Sequence, residues 1–227
     1  MSTYMGKKYL EAKKLIDENK AYSPEEAMDL VIKTSKTKFD GSVELHFRLG
    51  IDPTKGEQLV RGNVELPHGT GKSVKIAVFT IEKTQEAKDA GADLIGGSEL
   101  IEEIKKSGKC DFDVAIADPG MMKLLAPLAR ILGPKGLMPS PKNETVTANI
   151  AGAVKALKKG KVSFKNDNTS NVHMMIGRVS FGKVKLVENF TVAANAIRKA
   201  KPSSSKGSYI RSVTLHAAMG PGIKVGM

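Results

Sequence analysis

The 227-residue chain has no tryptophan, a single cysteine and an aromatic content of only 5%. With so few rings, its cores must be assembled from Val, Ile, Leu, Ala and Met. Cys110 stands alone, which excludes an internal disulfide. The surrounding "GKCDFDVAIA" sets it at the entrance of a buried strand, where a small apolar residue is expected rather than a reactive thiol. No apolar run approaches the roughly 20 residues that span a bilayer. The opening "MSTYMGKKYLEAKKL" is charged throughout and has no signal-peptide core, so a soluble cytoplasmic protein with no membrane attachment is expected. Acidic residues are scarce in one region only. Residues 160–227 hold 11 Lys and Arg against 2 Asp and Glu, whereas residues 1–67 hold 11 against 11 and residues 68–159 hold 14 against 11. Most of the net charge of +12 therefore sits in the last third. A basic excess this one-sided suits a polyanion, and nucleic acid is the commonest one in the cytoplasm.

A hydrophobic content of 41% supports one large domain or two small ones, each with its own core. Helical spacing marks residues 7–19. "SPEEAMDLVIK" opens with Ser23 as N-cap, Pro24 in the first turn and Glu26 as the capping-box partner. The period then drops to two. Val43, Leu45, Phe47, Leu49 and Ile51 alternate with polar residues and predict a half-buried strand, and "LVRGNVEL" follows the turn "DPTKG" as a second, antiparallel one. Beyond residue 73 the apolar runs "VKIAVFTI", "DLIGG" and "FDVAIADPG" alternate with the helical "KTQEAKDAGA", "SELIEEIKKSG" (capped by Ser98) and "MMKLLAPLARILG". Strands apolar on both faces predict a parallel sheet covered on both sides. "ANIAGAVKALKKG" predicts a helix ending at Gly160. Alternation returns in "KVSFKN" and "NVHMMIGRVSF", a predicted hairpin around "DNTS", followed by an amphipathic helix over 183–200 and a last strand in "IRSVTLHA".

The expected fold class is α/β in two domains. Residues 1–67 and 160–227 form domain I, an α+β unit with an antiparallel or mixed sheet. Residues 68–159 form domain II, an inserted, doubly wound, Rossmann-like parallel sheet. The crossings near 66–73 and 157–162 are hinge candidates.

Several stretches invite a chemical reading. "GTGKS" (69–73) looks like the back half of a phosphate loop, but the first glycine of that motif would fall at Leu66, and a strand rather than a helix follows. A nucleotide-binding enzyme on the insert is the alternative function, but no G-x-G-x-x-G supports it. Asp118-Pro119-Gly120 reads as a turn and helix cap. His46, His68, His173 and His216 are scattered with no metal-ligand spacing, and no Ser/His/Asp order stands out. "GPKGLMPSPK" (133–142) is either a rigid connector or a stiff basic loop that touches RNA or protein. Lys165, Asn166, Asp167, Asn168, Thr169 and Ser170 crowd one turn with short polar groups that can reach phosphates, 2′-hydroxyls and base edges. Phe39, flanked by Lys36 and Lys38, either packs on a sugar or base or seals a core. In "HAAMGPG", Gly220 allows close backbone approach, and Met219 is an odd residue for a loop tip unless it docks on something.

Taken together, "KFDGSVELHFRLGIDP", "VRGNVELPHGTGK", "GADLIGG", "RILGPKGLMPSPK", "FKNDNTSNVHMMIGRVSF" and "KGSYIRSVTLHAAMGPG" resemble the ribosomal protein L-one family of the large-subunit stalk, most of all its bacterial form, over nearly the whole chain. The resemblance implies a protein that is not an enzyme, carries no cofactor or metal and is monomeric when free. It implies binding to 23S ribosomal RNA at the stalk junction, contact with deacylated exit-site tRNA, and repression of its own operon mRNA through a mimic of the rRNA site. Carried over by motif, the RNA-binding residues are Lys38, Phe39, Ser42 and Glu44, then Lys165, Asn166, Asp167 and Thr169, and last Ser212, Met219 and Gly220. Lys161, Lys165, Arg178 and Lys206 are expected to neutralise phosphates. The family usually has Thr before its Met-Gly pair; this chain has Ala218, so a hydroxyl contact is absent there.

Overall fold

The computed structural model describes residues 6–81 and 83–226; the first five residues of the charged opening stretch lie outside the described residues. The chain begins with α1 (Lys7–Lys13) and α2 (Pro24–Thr34). At the start of α2 the Ser23 hydroxyl accepts from the Glu26 N–H and the Glu26 carboxylate accepts from the Ser23 N–H, so the capping box forms as its spacing predicts. β1 (Ser42–Leu49) and β2 (Arg61–Glu65) follow. The middle of the chain comprises β3 (Ile76–Phe79), α3 (Thr84–Asp89), β4 (Leu94–Gly96), α4 (Ser98–Ser107), β5 (Val114–Ala117), α5 (Met122–Leu125), α6 (Ala129–Leu132) and α7 (Ile150–Lys158). The last stretch adds β6 (Lys161–Lys165), β7 (Asn171–Arg178), α8 (Gly182–Lys199), β8 (Ile210–Ala217) and β9 (Ile223–Val225). Contacts divide the chain into two compact units, residues 1–71 with 160–227 and residues 72–159.

In the second unit β3 lies parallel between β4 and β5. Ala77 and Phe79 pack to one side with Ile101 and Ile104 of α4, while Ile76 and Val78 pack to the other with Ala87 of α3 and Val154 of α7. Burial on both faces is why these strands read as unbroken apolar runs. The helix expected over "MMKLLAPLARILG" is divided, because Pro127 has no N–H to donate and sits in a 3-10 turn between α5 and α6. Neither expected cap forms through its side chain. Ser98 is the first residue of α4 rather than its cap, and Asp118 offers the Met121 N–H its carbonyl instead of its carboxylate. Residues 69–75 remain irregular up to β3, so "GTGKS" opens no helix that could hold phosphate.

The first unit is built on a fully antiparallel four-stranded sheet in the order β7-β1-β8-β9. Val43, Leu45, Phe47 and Leu49 of β1 are buried with Met28 and Val31 of α2 and Leu186, Phe190 and Ile197 of α8. Both helices thus cover one face, and the alternate residues of the strands form the opposite, open face.

The expected hairpin around "DNTS" is not a paired one. The chain reverses there with a single bridge from Asn166 to Val172, but β6 then pairs with β2 in a separate ribbon while β7 pairs with β1. Asn166 causes the parting: its N–H donates to the Val60 carbonyl and its amide oxygen accepts from the Val60 N–H. The Phe164 ring packs on Gly62, where a Cβ would come within 2.8 Å of it. β2 is thus the antiparallel partner of β6 and not of β1.

Asn189 is a fully buried polar residue of α8. Its amide donates to the carbonyls of Ile176 at 2.7 Å and Gly69 at 3.0 Å and accepts from the His68 N–H at 3.2 Å, so it ties the segment after β2 to the sheet. Asn189→Leu retains the volume but leaves three backbone groups without that partner. Urea titration should show a loss of about 2 kcal/mol or more; a loss under about 0.5 kcal/mol would mean that the amide's bonds are replaced.

Candidate nucleic-acid interface

Register decides which residues share the open face. Across β1, Arg48 faces Asn171 and Ser212, His46 faces His173 and Thr214, and Glu44 faces Met175 and His216. Ser42 stands opposite Arg178, and its carbonyl accepts from the Ala218 N–H. From Ser42 to Arg48 the strand covers roughly 20 Å, so the face has two well-separated ends.

At the first end, Phe39 is 56% and Met219 80% exposed, so neither seals a core. Met219 takes a φ of 61°, in the left-handed region that non-glycine residues rarely adopt. The turn is closed by the Gly220 N–H donating to the Ala217 carbonyl, and it holds the Met219 side chain out in solvent. Phe39, Met219, Ala218 and Tyr9 line a groove of about 690 Å³ that also includes Lys36 and Lys38. Beside it the Ser42 hydroxyl donates to Glu44 Oε1 at 3.2 Å and directs that carboxylate along the face.

The other end is the turn after β6. Lys165 and Thr169 are exposed there, whereas Asn166 is only 5% exposed and has its amide committed to Val60 and the Asp167 carbonyl. Asn166 therefore positions the turn and does not present its amide to solvent. Asp167 is the hub. Its carboxylate accepts from the Thr169 N–H and hydroxyl and from the Asn171 N–H at 2.7 to 2.8 Å, with His173 Nε2 at 3.4 Å. Burial pushes this carboxyl up, but the donors outweigh it and hold the group well below the ordinary Asp value. Ser212 lies at this end beside Arg48, so the expected trio of Ser212, Met219 and Gly220 is split between the two ends.

Two of the expected phosphate partners are either engaged by the backbone or set in another groove. The Arg178 guanidinium donates to the carbonyls of Gly71 at 3.0 Å and Asp40 at 3.1 Å, which makes it a backbone clamp. Lys206 joins Lys55 and Arg211 around a separate, smaller groove.

The residues that sequence reading missed are the histidines. Three of the four, far apart in the chain, meet midway along the face. His46 and His173 approach to 2.6 Å between Nδ1 atoms, and the rings of His46 and His216 stack with centroids 4.6 Å apart. Glu44 Oε2 lies 3.7 Å from His216 Nε2 and 4.0 Å from His46 Nε2. Each occupies an outward strand position, the one available signal, but the register that unites them belongs to no single segment. His68 pairs instead with Glu188 of α8. Burial, followed by the His216 and His173 rings, pushes the His46 pKa below its ordinary value, with Glu44 opposing.

Residues 31–221 match the model of the Ribosomal protein L1p/L10e family. The chain belongs to this family. Membership makes it a ribosomal protein of the large subunit that binds RNA, in a family whose members are structural and generally not enzymes. As in the charge count of this L1-family sequence, the excess is uneven. The unit of residues 1–71 and 160–227 holds 22 Lys and Arg against 13 Asp and Glu, and the other holds 14 against 11. Among the described residues, no helix is long and apolar enough to cross a membrane.

The depressed pKa of His46 has a defined consequence for stability. Its contribution is complete above the unfolded value near 6.5 and is lost as pH falls through the lower folded value, because protonation then favours the unfolded chain. The urea midpoint should therefore fall between pH 7 and pH 5 by more in the natural chain than in His46→Gln; equal falls would contradict the burial of a neutral ring among His173, His216 and Glu44.

Proposed function

We propose that the open face of the β7-β1-β8-β9 sheet, with its two ends, binds 23S ribosomal RNA at the stalk junction. One observation carries this reading. Lys38 and Phe39, Lys165 and Thr169, and Ser212 and Met219 come from three separate stretches of chain, yet they border one solvent-facing surface in the more basic unit. Phe39 and Met219 offer exposed apolar surface to a base or ribose, and the lysines neutralise phosphates and release counterions. The Ser212 hydroxyl and the Glu44 carboxylate suit 2′-hydroxyls and base-edge donors, while Asp167 and Thr169 hold the shape of the turn that presents Lys165. With Ala218 in place of a hydroxyl, a contact of about 1 kcal/mol is missing at that position. A messenger segment imitating the rRNA site would occupy the same surface, which is the basis for repression of the protein's own operon.

Assistance to the departing exit-site tRNA needs the two units to move, and we assign the pivot to the crossings near residues 66–73 and 157–162. Gly69, Gly71 and Gly160 all have positive φ there, and a Cβ on Gly160 would lie 2.3 Å from the Gly69 Cα.

Filter binding of the full chain to large-subunit rRNA should weaken steeply with salt. Lys38→Ala and Lys165→Ala should each flatten the slope of log affinity against log salt by roughly 1. Phe39→Ala should weaken binding roughly 5- to 150-fold, while Lys105→Ala with Lys106→Ala on α4 should change it little. Loss confined to the α4 variant would move the site to the other unit and overturn the reading.

A further inference from the structure

We infer that Glu44, His46 and His216 form a binding site for a divalent transition metal of the zinc type on the open sheet face. The three side chains are gathered by register. Glu44 and His46 are two residues apart on β1 and both point outward, and His216 is the direct cross-strand partner of Glu44. One ligand atom from each lies within 4.8 Å of the others.

Hydrogen bonding engages the Nδ1 atom of both rings and leaves both Nε2 atoms turned toward Glu44. His216 Nδ1 lies 2.9 Å from the Ala217 carbonyl, which can only accept, so Nδ1 carries a hydrogen and Nε2 is the nitrogen turned to Glu44, 3.7 Å from Oε2. The carboxylate of Asp167, kept ionised by its donors, accepts from His173 Nε2. The His46 Nδ1 lies 2.6 Å from His173 Nδ1, so that side of the His46 ring is engaged by the neighbouring imidazole. His46 Nε2, on the far side of the ring, is buried and has no hydrogen-bond partner among the described residues. Glu44 Oε1 accepts from Ser42 and Oε2 faces both nitrogens. Two imidazole nitrogens and a carboxylate oxygen thus converge on one point of the face. A cation held by all three groups would give the orphaned His46 Nε2 its partner.

The donor set selects the ion. Imidazole with carboxylate suits zinc and its neighbours, whereas magnesium and calcium take oxygen ligands. Around a zinc ion, tetrahedral ligands stand roughly 3.3 Å apart, so rotation of the two nearly parallel rings about χ2, with a small shift of the carboxylate, closes the site. The outer supports of such a centre are already in place: a carbonyl on His216, the His173–Asp167 relay on His46 and a hydroxyl on Glu44. Three protein ligands leave a fourth position toward solvent.

The test uses the full chain and zinc chloride in isothermal titration calorimetry, without RNA, so that it stands apart from the rRNA reading. One zinc ion per chain should bind, and magnesium chloride at the same concentration should not. His46→Gln and His216→Gln should each lower zinc affinity about 100-fold or more, with far-UV circular dichroism reporting the fold, and Glu44→Gln serves if either variant misfolds. Cobalt(II) should give a visible absorption band that these variants lose and His68→Ala retains. Absence of zinc binding, or binding that survives both histidine substitutions or follows His68, would overturn the inference.

Discussion

β1 is hydrogen-bonded along both edges, and this leaves each of its side chains only two directions in which to point. Four of them, Val43, Leu45, Phe47 and Leu49, are apolar and lie under α2 and α8. Each contributes about 1.5–3 kcal/mol by leaving water. A slip of one residue would expose all four and bury Glu44, His46 and Arg48, so the register is strongly specified. The outward residues inherit that precision without contributing to the core. A surface assembled from three strands and two turns can in this way hold chemically specific groups in fixed positions, although those groups come from distant parts of the chain.

The acidic residues of this basic surface follow one pattern. Asp40 accepts from the Ser180 N–H and hydroxyl, Asp167 from its own turn, and Glu44 from Ser42. Each carboxylate is engaged by nearby donors and holds a loop or a side chain in place. Lys38 and Lys165 project from the segments so ordered. Local carboxylates thus shape the surface, and lysines supply its charge. Arg178 crosses that division, since its guanidinium is a structural clamp on the Gly71 and Asp40 carbonyls.

What was legible in the sequence was local. The capping box of α2, the alternation of β1, and the end of α7 shortly before Gly160, whose φ is 103°, all rest on residues close in the chain. The apolar runs of β3 and β5 announced burial on both faces for the same reason. Pairing was not legible. Nothing in "KVSFKN" says that it prefers β2 to the strand immediately after it, because the choice depends on Asn166 reaching Val60, 106 residues away. The candidate site divided along the same line. Phe39 and Met219 could be singled out as unusual residues in turns, while the histidine cluster needed a cross-strand register that no segment carries. Asn166 shows the converse: a polar residue in a polar turn can be committed to the backbone and hidden.

The central claim is that this open face, and not the helical face or the other unit, meets ribosomal RNA. Ultraviolet cross-linking of the full chain to large-subunit rRNA, followed by mass spectrometry of the linked peptides, tests it most directly. The account predicts links at Phe39, His46, His173 and Met219. Links concentrated on α8 or within residues 72–159 would contradict it.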